Sequence, residues 1–369
     1  MNWSVPYTNF KKNFQKNKLS FTKAFKRIMS NGEFILKKDV RDFEKNMSNY
    51  LNSKYIISVN SGTDALLLSL GAAGIKPGSE IITVANTYVA TLSAITHIGA
   101  TPVFVDVAED FNMDVNLIEK KITKKTRAIV PVHLNGRCCN MKKINTIAKK
   151  YNLLVIEDVA QSLGSKFKNK MAGTFGLAGA FSLHPLKSLS CAGDGGFIAT
   201  DNLSLARKLY KMRNHGQVSR DHISHFGFNS RLDNLQAALI NIKLKNFNKD
   251  IIKRREIAKF YLDNLKNLPI FNPLFKNDQN YFDTFNSFVI RTKNQKKLLN
   301  HLYKNKIEVF VNWKKPLYKH KGLKLRSSKL SNTEKFCKEM ISLPIFPDLE
   351  KKKQKEVINV VKKFYLRKT

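Results

Sequence analysis

The sequence predicts an α/β chain built on a mostly parallel sheet flanked by helices, followed by a smaller C-terminal α+β domain. From Tyr55 to about Leu244, short β-branched runs alternate with helical stretches, the pattern of a parallel sheet covered on both faces by helices. The strand candidates are nearly unbroken apolar runs, as strands buried on both sides require. With 369 residues, 43% hydrophobic and 10% aromatic, the chain can bury two cores, which excludes disordered and fibrous classes.

In chain order, YIISV precedes the helical DALLLSLGAA. EIITV, the helical TYVATLSAITHIG and PVFVDV follow. RAIVPVHL, the helical MKKINTIAKKY, LLVIED, GAFSL and GGFIATD complete the sheet candidates. Residues Asn229–Arg255 read as one long helix leading out of this domain. Beyond it, FNSFVIR and IEVFVN read as strands around the helical KKLLNHLYKN. These elements predict a large domain over 1–245 and a small one over 246–369, with residues 1–30 packing on the small one.

Composition narrows the function classes. No apolar run reaches the roughly 18 residues of a membrane span, and the N-terminus MNWSVPYTNFKKNF lacks the layout of a signal peptide. The four cysteines, Cys138, Cys139, Cys191 and Cys337, form no CxxC pair and no disulfide framework, so a reducing cytoplasm is expected. The net charge of +37 raises the question of a polyanion partner. The lysines are spread through turns, helix faces and the tail without a nucleic-acid-binding signature, so a compositional bias is the expected cause, with no nucleic-acid partner and no membrane. Such a charge also suits a phosphate-bearing small substrate.

Ligands of open parallel sheets gather at the carboxyl ends of the strands, and the polar residues there fit pyridoxal 5′-phosphate (PLP). That cofactor needs a lysine amine, an acid on its pyridine nitrogen and a phosphate cradle. Lys187 follows GAFSL in FSLHPLKSLSCAGDGGFIATD; it must be desolvated, or sit beside another cation, to be nucleophilic at neutral pH. Asp158 ends the strand LLVIED, where it is either the partner of the ring nitrogen or a helix N-cap. Gln161, three positions on, reaches the same ring or serves in capping. Ser61-Gly62-Thr63 lies between a strand and a helix, where backbone N–H groups face an anion or the hydroxyls simply cap the helix. Ser182 adds a hydroxyl from a neighbouring strand. Tyr88 either lies over the pyridine ring or is a core aromatic. His184 is expected to be a packed neighbour of Lys187.

Several of these segments, taken together, resemble one family. SGTDAL, IEDVAQSLGS, FSLHPLK followed by GDGG, RNHG, GFNSRLDNLQAA and ISLPIFPDL look like the DegT-type nucleotide-sugar aminotransferases, from about Gly32 to Leu349. The resemblance implies the PLP-dependent aspartate aminotransferase fold (fold type I), with its seven-stranded type of sheet. It implies Lys187 as Schiff-base lysine and proton shuttle, Asp158 at the pyridinium and Gln161 at the ring's phenolic oxygen. It further implies Gly62, Thr63, Asp64 and Ser182 at the phosphate, and Tyr88 stacked on the ring. Asn229 would reach the phosphate of a partner subunit, which implies a homodimer. Related dehydratases carry histidine where this chain has Lys187, so amine transfer from L-glutamate to a 3- or 4-keto-6-deoxyhexose on a nucleotide is the expected reaction. A dehydratase of the same family, or a PLP-bound regulatory or nucleic-acid-binding protein, is the alternative. The C-terminal part departs more from the family; Trp313, Tyr318 and His320 are candidate substrate contacts there, with a structural role as the other reading.

Overall fold

The computed structural model describes residues 2–271 and 278–366. Its centre is a seven-stranded sheet of β1 (Tyr55–Val59), β2 (Glu80–Val84), β3 (Thr101–Val105), β4 (Thr126–Ile129), β5 (Leu154–Asp158), β8 (Ala178–Ser182) and β9 (Gly196–Thr200), in the order β1-β9-β8-β5-β4-β2-β3. Six of these strands run parallel, and β9 runs antiparallel to both neighbours. The exception has a local cause. A parallel return is usually made by a crossover helix laid over the sheet, whereas the thirteen residues between β8 and β9 form no helix and turn back through Gly193 and Gly195. Two short strands, β6 (Lys166–Phe167) and β7 (Lys170–Met171), form a hairpin beside the main sheet.

Helices cover both faces. α1 (Phe10–Asn31), α2 (Lys38–Leu51) and α7 (Asn234–Leu244) pack together on one side. α3 (Gly62–Ala72), α4 (Val89–His97) and α6 (Leu203–Met212) gather around α3, while α5 (Met141–Lys150) precedes β5. Two apolar clusters sandwich the sheet: Phe43, Phe181, Phe197 and Phe247 on one face, and Ile57, Leu68, Ile95 and Ile198 on the other. The hairpin β10 (Gln217–Ser219) and β11 (His222–Ile223) projects beyond α6.

A separate cluster, with Tyr261, Phe288, Leu302, Ile341 and Val361, organises the C-terminal part. It lies among α8 (Phe247–Leu265), β13 (Phe288–Arg291), α9 (Gln295–Lys304), β14 (Met340–Leu343) and α11 (Lys351–Leu366). α10 (Ser331–Glu339) leads into β14, and β12 (Tyr281–Phe282) pairs with β6 of the hairpin.

Three sequence expectations change. The helix expected over Asn229–Arg255 begins only at Asn234 and is broken between α7 and α8, because Asn246 (φ −110°, ψ 3°) leaves the helical basin. IEVFVN forms no strand; β13 instead pairs with β14, leaving Ile307 and Phe310 isolated bridges to Val5 and Ser342. Residues 1–30 do not pack on the C-terminal part alone. Val5 joins its core and Tyr7 N–H donates to Glu308, but Ala24 and Ile28 of α1 pack on Ala238 of α7.

Candidate active site

The carboxyl ends of β5 and β8, neighbours in the sheet, bring Asp158 and Lys187 together. Asp158 is the last residue of β5 and is buried. Its Oδ1 accepts from Ala160 N–H (3.1 Å) and its Oδ2 from Thr91 Oγ1 (2.8 Å). Burial pushes its carboxyl above the usual aspartate range, against the pull of those donors, of Lys187 and of His133. The reading of Asp158 as a helix N-cap is set aside, since no helix follows it.

Lys187 sits in a turn after β8, closed by its own N–H on the carbonyl of His184 (2.8 Å). Its ammonium makes no hydrogen bond or ion pair among the described residues, and desolvation lowers its pKa against the raising effect of Asp158. α7 clamps the chain just beyond: Gln236 Oε1 accepts from Ala192 N–H (2.9 Å), and Lys243 donates to the Ser190 carbonyl. The turn borders a cavity of about 710 Å³ whose far wall includes Phe14 and Phe21 of α1 and Leu235 and Leu239 of α7.

The phosphate-type cradle lies at the N-terminus of α3. Ser61 caps the helix, accepting from Asp64 N–H (3.1 Å), and so leaves the N–H groups of Gly62 and Thr63 without partners in the described chain. A Cβ at Gly62 would fall 2.7 Å from Ser182 Cβ and 3.1 Å from Ser182 Cα, so glycine here lets the helix end meet the end of β8. The Ser182 hydroxyl accepts from His184 N–H (3.3 Å), which leaves its proton for an anion. Gly62→Ala forces backbone apart at this seam; it is expected to weaken PLP binding tenfold or more and to cost about 1–3 kcal/mol of stability, read by equilibrium dialysis and thermal melting.

Gln161 is oriented by its surroundings. Its Oε1 accepts from Asn135 N–H (3.0 Å), so the amide nitrogen is the end left to donate to an anionic oxygen. Tyr88 is no core aromatic: it precedes α4 and is 66% exposed. Asn229 is exposed beside an isolated bridge to Asn214.

Other expected residues are placed differently. The Asp64 carboxylate accepts from Ser230 Oγ (2.7 Å) and supplies no donor to an anion. His184 is exposed rather than packed, with Nδ1 accepting from Leu186 N–H (3.2 Å). Tyr318 is buried, its hydroxyl donates to Glu334 (2.7 Å) and its ring meets Phe104, so it is structural. Trp313 packs at the edge of the main core, and His320 is partly exposed on the same loop.

Groups absent from the sequence argument surround the site. Thr87 and Thr91, both buried, form a hydroxyl chain to Asp158. The fully buried His133 lies beside the Asp158 backbone; Cys139 N–H donates to its Nδ1 (3.0 Å), so Nε2 carries the proton and donates to the buried Glu157 (2.9 Å). Asn86, fully buried after β2, and Asn135, after the neighbouring β4, have side-chain amides without partners among the described residues. Only strand alternation, which turns Glu157 and Asp158 to opposite faces, could have hinted at this arrangement.

These residues fit PLP. A buried carboxylate with no cation in hydrogen-bond contact, a lone desolvated lysine, a glycine seam with unpaired N–H groups and orphaned buried amides at one sheet edge all call for a polar, anionic, aromatic group. The fold and site therefore define a PLP-dependent enzyme of fold type I. Comparison with known proteins narrows the class. The profile of the DegT/DnrJ/EryC1/StrS aminotransferase family matches residues 15–362. The chain is 37% identical to "dTDP-3-amino-3,6-dideoxy-alpha-D-galactopyranose transaminase" of Aneurinibacillus thermoaerophilus, over 98% of this chain and 99% of the relative. It is 36% identical to "UDP-2-acetamido-2-deoxy-3-oxo-D-glucuronate aminotransferase" of Pseudomonas aeruginosa, over 89% and 91%. Among solved structures, NtdA of Bacillus subtilis with bound cofactor PMP superposes with a TM-score of 0.89 at 30% identity, covering 95% of this chain and 82% of that one. The chain belongs to the DegT/DnrJ/EryC1/StrS aminotransferase family. It is a PLP-dependent nucleotide-sugar aminotransferase.

Proposed function

We propose that this enzyme moves the amino group of L-glutamate to a 3-keto sugar, of the 6-deoxyhexose type, carried on a nucleoside diphosphate, for amino-sugar and surface-glycan biosynthesis in the cytoplasm. The observation that carries the reading is the meeting of the desolvated Lys187 amine with the buried Asp158 carboxylate at adjacent strand ends. Carbon 3 is preferred over carbon 4 because both relatives above are named for chemistry at that carbon.

PLP, when bound, supplies an electron sink for the carbon losing or gaining a proton. The protein supplies the rest. Asp158 holds the ring nitrogen protonated through its carboxylate. The Gln161 amide donates to the phenolic oxygen, and Gly62, Thr63 and Ser182 hold the phosphate through N–H and O–H donors. Tyr88 covers one ring face. Lys187, whose pKa burial lowers, would be the group that takes the proton from Cα of the donor and, in the other half of the reaction, returns one at the sugar carbon. Trp313 and His320 line the approach for the sugar nucleotide, and the charge of +37 favours the arrival of its diphosphate.

The reading takes residues 1–245 as the cofactor-binding unit and 246–369 as the smaller one. It also takes the enzyme as a homodimer in which Asn229 completes the partner's phosphate site. Exposed apolar side chains on the same projection (Val218, Ile223, Phe226, Phe228) support this.

The deciding experiment supplies L-glutamate with a panel of dTDP- and UDP-linked 3-keto and 4-keto sugars and measures 2-oxoglutarate release. One mole released per mole of a 3-keto sugar aminated is the expected result. Dehydration of the sugar without glutamate consumption would overturn the reading.

A further inference from the structure

We infer that Thr91, backed by Thr87, is a positioning residue that keeps Asp158 oriented and ionised for the ring nitrogen of PLP. The inference rests on the reading of Asp158 given above. It starts from how few proton assignments three buried groups allow. Thr91 Oγ1 lies 2.8 Å from Asp158 Oδ2 and 2.9 Å from Thr87 Oγ1. Thr91 has one proton, and the carboxylate is the stronger acceptor, so that proton points to Asp158. The Thr87 hydroxyl must then donate to the Thr91 oxygen, and each link polarises the next.

The sequence sets this chain in place through α4. Thr87 lies two residues before the first helical residue and Thr91 in the first turn, and the entry into the helix brings their hydroxyls together on one face (2.9 Å). That face looks across the sheet edge at the end of β5, and both threonines are about 1% exposed. With Oδ2 held by Thr91 and Oδ1 by Ala160 N–H, the carboxylate plane is fixed, while each oxygen keeps lone-pair capacity for a cation. Removing the Thr91 proton would leave burial less opposed and favour the neutral acid, which has no charge to offer a pyridinium.

The test measures PLP dissociation constants of the apo-proteins Thr91→Val, Thr91→Ser, Thr87→Val, Asp158→Asn and Thr91→Val/Asp158→Asn by fluorescence, with thermal melting alongside. Thr91→Val is expected to weaken binding about tenfold to a hundredfold, the range for a hydrogen bond to a charged group. Thr87→Val should weaken it less. Thr91→Ser should restore wild-type affinity, and the double variant should bind no more weakly than Asp158→Asn alone. Rescue by serine and loss of the effect in the Asp158→Asn background separate positioning from a merely structural role. Wild-type affinity in Asp158→Asn would sink the underlying reading of the carboxylate. Weak binding in Asp158→Asn with wild-type binding in Thr91→Val would overturn this inference alone, as would additive losses in the double variant.

Discussion

Lys187→Ala is expected to lower transamination by about a thousandfold or more, the upper part of the range for a positioned acid–base group, and to remove the long-wavelength absorbance of the PLP-loaded protein. The fold should survive. The Lys187 ammonium has no hydrogen-bonding or ionic partner among the described residues, so alanine removes a desolvated cation without orphaning another group. The pH dependence follows from the lowered pKa. Between that value and the unfolded value near 10.5, the unfolded chain binds the extra proton, so the wild-type apo-protein gains stability as pH rises through this window. At neutral pH the variant apo-protein is therefore expected to melt no lower than wild type, and its advantage should fade toward pH 10.5. A large drop in melting temperature together with the loss of activity would assign Lys187 a structural role instead. Mixing Lys187→Ala with Asn229→Ala subunits provides a further check. If Asn229 serves the partner's site, the hybrid contains one intact site and regains activity that neither parent shows.

Asp158→Asn is expected to weaken PLP binding about a hundredfold or more, as loss of one member of a buried charge pair does, and to lower activity at least in proportion. Its effect on the apo-protein should be small. The raised pKa of Asp158 means that, from the unfolded value near 3.8 up to the folded one, the native state holds the extra proton. Stability therefore falls as pH rises through that window, so the ionised carboxyl is a burden to the apo-fold above it. Asparagine lifts that burden but sets its amide nitrogen against either the Thr91 hydroxyl or Ala160 N–H. The net melting change should be within a few degrees, measured by calorimetry at pH 7. Unchanged PLP affinity would remove Asp158 from the ring nitrogen.

The residues legible in the sequence are those whose position follows from local pattern. Asp158 stands at the end of an apolar run, Ser61 and Gly62 between a strand and a helix, and Lys187 in a turn after a strand. Strand periodicity and capping place each of these without knowledge of the rest of the fold. Misplaced residues are those whose partners lie far along the chain. Tyr318 lies where the chain departs from the family pattern, which leaves a substrate contact and a structural role both open, and the fold buries its ring against Phe104 and engages its hydroxyl with Glu334. Asp64 sits in the right turn, but Ser230, from a segment 166 residues on, holds its carboxylate. IEVFVN carries a strand pattern, but β14 occupies the pairing edge of β13.

The class of fold was legible from periodicity alone, and the same local patterns marked Lys187, Asp158 and the start of α3 as the candidate site, because each position follows from a strand end or a cap within a few residues. Only the tertiary structure decided what surrounds them. Thr91 and Thr87 on Asp158, the His133–Glu157 pair beneath it, and the contact of Gly62 with Ser182 join segments 67, 24 and 120 residues apart. Such contacts depend on how strands are ordered in the sheet and how α4 is laid against it. Strand order is fixed by packing the whole chain, and no local pattern records it.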